Sequence, residues 1–203
     1  MKIICPKINY LCDTTFEECT EYQNGYIKSN ADNVLIENQT IDTFRFDNID
    51  FSNITFNNNS LIDVIFNNCD LSNISFDDEY LTRVEFHNCK MTGVSFINTK
   101  LDNILMENCM LKYANFCDTD LHNVLIKNSN MEEARFMNVK QKNFSLENNN
   151  LKKMEIIDTN MNMMDLSSCD IEGIKFDHKS FKGIIIDISQ SPYIVSNLGI
   201  KFK

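Results

Sequence analysis

Eight cysteines, three histidines and twenty-nine acids are the side chains through which this chain could do chemistry. Thiols with imidazoles suggest zinc, and paired thiols suggest disulfides. The spacing supports neither. No two cysteines form a Cys-x-x-Cys pair, and His87, His122 and His178 are scattered. There is no Ser-His-Asp, Cys-His or glycine-rich phosphate motif, so no catalytic residue, metal or cofactor is expected and the chain does not read as an enzyme. What remains is acid. The net charge is −10, which argues against nucleic acid as a partner, since phosphates demand Lys and Arg, but permits a basic protein.

The acids must be positioned by something, and the sequence states what. From Ile41 to Ile186 every fifth residue is large and apolar: Ile41, Phe46, Phe51, Phe56, Leu61, Phe66 and onward, with Gln141 the one exception among thirty slots. A helix repeats at 3.6 residues and a strand at 2. A strict period of another kind marks a solenoid, whose units bury their apolar faces on one another. Two residues before each such centre lies a second inward slot, apolar at Val64, Val84 and Ile104 but small or weakly polar at Cys69, Cys89, Cys109, Thr99 and Thr119. Two residues after each centre lies a corner. Between Asn48 and Asn148 that slot holds Asn at fourteen of twenty-one positions and Asp at Asp63, Asp78 and Asp118. These residue types tolerate the positive φ that a type II turn requires. The chain therefore bends the same way every five residues.

Units such as CDLSNISFDD, HNCKMTGVSF and CDTDLHNVLI resemble those of the pentapeptide-repeat proteins, with their A-(D/N)-L-x-x pattern. The resemblance covers the chain from about Leu11 to Ile186. It implies an all-β fold: a right-handed quadrilateral parallel β-helix, four pentapeptides to a coil. Residues 1–186 are assigned to this body, distorted around 20–33, where Glu21, Tyr26 and Ala31 are poor centres. Residues 187–203 are assigned to a short C-terminal helix and tail that cap the solenoid or join two copies. Asp187 to Pro192 reads as the helix entrance and Gly199 as its stop. Cys69, Cys89 and Cys109, twenty residues apart, should stack about one strand spacing, ~4.8 Å, from one another. With Cys19 and Cys169 they are read as buried small side chains.

The tail carries a second resemblance. Gly183-Ile184-Ile185-Ile186-Asp187, Gln190 and Leu198-Gly199-Ile200 are similar to the end of the Qnr quinolone-resistance group. That implies a rod-shaped homodimer joined through the C-termini, here through Ile188, Tyr193, Ile194, Leu198, Ile200 and Phe202. It also implies a DNA-mimicking protein that binds DNA gyrase or topoisomerase IV and modulates quinolone susceptibility. The carboxylates then assigned to the partner are Asp70, Asp77, Asp78, Glu79, Glu85, Asp102, Asp118 and Asp120. About nine coils at about 4.8 Å make a rod of about 43 Å. The chain departs from Gram-negative Qnr proteins in holding its register through the middle, where they carry outward loops, and in its low alanine content. A structural or scaffolding role with a different protein partner is the second reading. Mimicry needs a negative stripe along one face, and a scaffold does not.

Three local expectations follow. Glu79 falls on an inner slot, where an unpaired carboxylate is costly, so the coil is expected to open and let it reach water. Gln141 should either point inward and bond the backbone or mark a bulge. The N-terminal MKIICPKINY lacks the h-region and cleavage site of a signal peptide, and no stretch is long enough to span a bilayer, so a cytoplasmic protein without a membrane partner is expected.

Overall fold

A computed structural model describes residues 2–16, 21–30 and 33–200. Cys19, expected at an inner slot, Ala31, expected as a weak centre, and Phe202, assigned to the tail, lie outside these. From Val34 onward the chain closes a coil every twenty residues. Leu61 pairs in parallel with Leu81, Leu81 with Leu101, and Leu101 with Leu121. The bends are at the corner slots, with φ of +57° at Asn48, +53° at Asn58, +55° at Asp63 and +54° at Asn68. Most corner N–H groups in the regular coils donate to a carbonyl nineteen residues on, as Asn68 does to His87 at 2.9 Å. Four bends per coil give a square section. The result is a parallel β-solenoid of about 7 turns with one short helix, Ser191–Asn197, at its C-terminal end. The regular part is thus shorter than nine coils: seven spacings of about 4.8 Å make about 34 Å.

The core is one side chain deep. Phe46, Phe66 and Phe86 stack with centroids 5.1 and 5.0 Å apart, and Phe76, Phe96, Phe116 and Phe136 form a second column. All are fully buried, each contributing about 2 kcal/mol by transfer from water. Met154, Met161 and Met164 fill inner slots as core. Cys69, Cys89 and Cys109 are buried free thiols, each donating to a backbone carbonyl on the previous coil. Gln141 keeps register opposite Leu121, and its Nε2 donates to the Asn160 carbonyl at 3.0 Å, so the coil does not bulge.

The N-terminal coils obey a different count. Tyr26 pairs with Arg45 and Ile27 with Phe46, nineteen residues apart, and Cys12 pairs with Gly25 across thirteen. The coil from Ile27 to Phe46 is one residue short of twenty, and the one before it is seven short. Hence Tyr22 and Ile27 are the buried centres there rather than Glu21 and Tyr26. Before this coil, an extended strap runs along the rod's long axis. The Ile4 N–H donates to Asn103 Oδ1 at 3.2 Å and the Lys7 N–H to Asp63 Oδ1 at 2.8 Å. Three extended residues reach about 10 Å, the height of two coils. The strap lies over a row whose outward positions include Ile65, Leu105 and Leu125, all half-buried.

At the other end, the tail closes the open edge. Gln190 is buried and its Nε2 donates to the carbonyls of Leu166 (3.0 Å) and Cys169 (2.6 Å). Its Oε1 accepts the Asp187 N–H, completing a capping box with the Asp187 side chain. Asn197 accepts from Phe176 N and donates to the Ile174 carbonyl. These bonds occupy backbone groups that another strand would otherwise find. No helix among the described residues is long and apolar enough to cross a membrane.

Candidate protein-binding edge

The twenty-residue coil sorts the acids by position. Strand register sets each outward residue beside the one twenty residues later, so a vertical row reads as every twentieth residue. Most rows alternate sign. Asp63 pairs with Arg83 at 2.6 Å, Asp70 with Lys90 at 3.4 Å, Glu107 with Lys127 at 2.8 Å, Lys112 with Glu132 at 3.3 Å, and Glu155 with both Arg135 and Lys175. Carboxylates occur on all four faces, and each face also carries cations.

The eight acids assigned to a partner divide accordingly. Asp70 is half-buried. Burial pushes its carboxyl up, but the Ser72 hydroxyl and N–H together with Lys90 hold it below its ordinary value. Glu85 lies under the N-terminal strap. It is held low by His87 at 2.8 Å, against burial, with a further hydrogen bond from Cys5. Asp102 bonds His122 Nδ1 at 2.6 Å. Asp120 stands between Lys100 and Lys140 in the strand register.

Glu79 is a correction. The coil does not open around it. The residue is 1% exposed, and its Oε1 accepts from the N–H and Nδ2 of Asn59, each at 3.3 Å. The reason is the corner at Asp78, φ +62°, which keeps the turn closed and carries the next side chain inward. A carboxylate enclosed this way cannot touch a partner.

Asp77, Asp78 and Asp118 remain, and the fold brings them to one edge. Asp77 accepts from Ser95 Oγ and from the Ile97 N–H at 2.7 Å. Asp78 accepts from Asn98 Nδ2 and Asp118 from Asn138 Nδ2, both at 2.6 Å. The corner column thus reads Asn58, Asp78, Asn98, Asp118, Asn138, Asp158. The amides orient the carboxylates without neutralising them. Two coils separate successive acids, about 10 Å. Asp158 continues the column and meets Lys179 at 3.5 Å. It was missed from sequence, although its spacing of forty from Asp118 was the available signal.

The tail residues are placed as follows. Ile188 is 85% exposed, Leu198 and Ile200 each 53%, and Tyr193 36%, whereas Ile194 is half-buried and packs against the core.

Residues 59–136 match the family model described as a pentapeptide repeat region. Curated proteins offer no match. Among solved structures, a trypsin-treated variant of QnrB1, a plasmid-mediated fluoroquinolone resistance protein, is 17% identical, covering 97% of this chain and 98% of its own, with a TM-score of 0.45. Rfr23 from the cyanobacterium Cyanothece is 20% identical over 61% of this chain and 91% of its own, with a TM-score of 0.45. HetL, involved in heterocyst differentiation regulation in the cyanobacterium Nostoc, is 14% identical over 82% and 89%, with a TM-score of 0.43. With a positive-φ corner at most of the fifth-residue slots and a closed coil every twentieth, the chain is a parallel β-solenoid, and its residues 59–136 match a pentapeptide repeat region.

Proposed function

We propose that this protein is a non-catalytic binding rod that docks the Asp77, Asp78 and Asp118 edge on the basic DNA-binding groove of a type II topoisomerase, DNA gyrase or topoisomerase IV, and so modulates quinolone susceptibility. The observation that carries this reading is the edge itself, the corner column whose carboxylates from Asp78 to Asp118 are bonded by Asn rather than by Lys or Arg. The tail motif around Asp187, Gln190 and Leu198-Gly199-Ile200 adds the resemblance to the Qnr group. Charge density limits how the mimicry works. Duplex DNA carries about one charge per 1.7 Å of axis. The edge offers about one per 10 Å, so contact is confined to a few carboxylates and the exterior as a whole does not imitate a duplex. We further propose that two copies join end to end through Ile188, Tyr193, Ile194, Leu198, Ile200 and Phe202.

A second reading, a scaffold with a different protein partner, is favoured by the ion-pair ladders on the faces, which leave no continuous negative stripe. One assay separates the two. Purified protein is titrated into gyrase supercoiling and topoisomerase IV decatenation, with and without a fluoroquinolone, beside an Asp78→Asn/Asp118→Asn variant. Inhibition or drug relief that the variant loses supports the topoisomerase reading. No effect on either enzyme across salt conditions rejects it in favour of the scaffold.

A further inference from the structure

Most inner-slot polar side chains in this rod follow a rule of connection, with Ser129, which donates to the Lys127 carbonyl, an exception. Thr99, Thr119, Cys69, Cys89 and Cys109 each donate to the carbonyl twenty-three residues earlier, as Thr99 Oγ1 does to Phe76 at 2.7 Å. Asn59 and Asn149 do this and more. Asn59 Nδ2 donates to the Ile36 carbonyl at 2.9 Å while its Oδ1 accepts the Gln39 N–H. Asn149 Nδ2 donates to Ile126 at 2.7 Å while its Oδ1 accepts the Ser129 N–H. The carboxamide fills one donor and one acceptor role.

Glu79 occupies the same kind of slot with a carboxyl group. Its Oε1 takes the acceptor role, receiving the Asn59 N–H. Its Oε2 is buried and, among the described residues, has no hydrogen-bond partner. The donor role is vacant because an ionised carboxylate has no proton to give. The carbonyl at the matching position, twenty-three residues earlier, is that of Phe56.

We propose that Glu79 is a neutral carboxylic acid in the native rod, its Oε2–H donating to the Phe56 carbonyl, and that loss of this proton loosens the corner beneath Asp77 and Asp78. A protonated carboxyl has the donor and acceptor of a carboxamide, so the proton completes the pattern of Asn59 and Asn149. The surroundings favour the neutral form. Burial pushes the Glu79 carboxyl up to about 7, and the negative charge of Asp77 acts in the same direction against the hydrogen bonds from Asn59. On the previous coil Asn59 is neutral. On the next, the Thr99 hydroxyl is committed to Phe76. Asp78 is exposed and bonded to Asn98, and Lys100 sits over the Tyr80 ring at 4.9 Å rather than on Glu79. Among the described residues no ion pair reaches Glu79.

The sign of the linkage is fixed. The unfolded chain releases this proton near 4.5 and the native rod near 7, so the native state holds the extra proton between those values. The contribution to stability is complete below about pH 4.5 and is lost as pH rises through about 7, with the unfolding constant rising by up to about tenfold per pH unit. Chemical denaturation of the wild type and of Glu79→Gln from pH 4.5 to 8.5 tests this. The amide supplies the donor permanently, so the variant should lack that slope and exceed the wild type in stability above pH 7. A carbon-13 NMR titration of the wild-type glutamates is the second arm, independent of whether the variant folds. One carboxyl should titrate well above the ordinary glutamate range. If every glutamate titrates below about pH 5, or if the two proteins give parallel pH profiles, Glu79 is an ordinary carboxylate and the proposal is overturned. It stands or falls without regard to what the edge binds.

Discussion

Arg83 sits one coil above Asp63 and clasps its carboxylate with two N–H groups, Nε to Oδ1 at 2.6 Å and Nη2 to Oδ2 at 2.8 Å. The same Oδ1 accepts the backbone N–H of Lys7. One carboxylate therefore ties a corner to its neighbour and the N-terminal strap to both. Burial pushes Asp63 up, yet Arg83 and the Lys7 N–H together hold it below its ordinary value.

Asp63→Asn should loosen the strap. The amide can still accept from Lys7, but Arg83 loses its counter-charge in a half-buried site, at a cost of about 2 kcal/mol. Because the folded-state value is depressed, the contribution is present above the unfolded carboxylate range and is lost as pH falls below about 4. Hydrogen exchange at the Lys7 amide should quicken in the variant. Unchanged protection would show that Asn103 and apolar contact alone hold the strap.

Gln190 should matter more than its position in a tail suggests. Gln190→Ala removes two buried hydrogen bonds and leaves the carbonyls of Leu166 and Cys169 without their side-chain donor, a loss of about 2 kcal/mol. Gln190→Glu should be no better, since a carboxylate cannot donate to either carbonyl. Urea denaturation measures both. A midpoint equal to wild type would mean that the last coil needs no plug.

The exposed tail residues lend themselves to a milder substitution than truncation. Deleting the segment from Ser189 onward would also remove Gln190 and Asn197, and so confuse capping with association. Ile188→Asp with Leu198→Asp keeps both bonds. If copies join through this end, sedimentation should report half the wild-type mass at unchanged helical and strand content. Equal masses would leave these side chains without that role.

How legible this molecule was depends on the range of the interaction. The centres and corners could be read because each is set by its own residue type: Phe66 must go in, and Asn68 can adopt positive φ. Sequence alone predicted a shaft and its bends. Coil count and first-coil register were harder, because the missing residue between Ile27 and Ile36 shifts Tyr22 and Ile27 inward without changing local composition. Vertical neighbours needed the twenty-residue sum to be done row by row. Done that way, it separates Asp78 and Asp118, beside Asn, from Asp70 and Asp102, beside Lys90 and His122. The strap's place over Glu85 had no signal beyond the outward aliphatics Ile65, Leu105 and Leu125. Glu79 shows the limit of a local rule. A lone carboxyl at an inner slot suggested an open coil, but Asn59 accommodates one of its oxygens and the backbone stays shut.

The corners themselves yield the last prediction. Arg83, Tyr113, Glu133, Lys153 and Met163 all adopt positive φ, between +54° and +64°, where a residue other than Gly or Asn is strained by about 1 kcal/mol. Four of these have a return. Arg83 binds Asp63, Tyr113 carries Lys112 over its ring, and Glu133 pairs with Lys153. Met163 is 71% exposed, and among the described residues its side chain makes no hydrogen bond. Met163→Asn should therefore stabilise the rod by about 1 kcal/mol and raise Tm. Arg83→Asn, the same exchange at the same kind of slot, should do the reverse, because the lost ion pair outweighs the relieved backbone. Thermal unfolding of the two variants beside wild type decides the matter. A pair of shifts with the same sign would mean that backbone strain, or side-chain pairing, governs these corners alone.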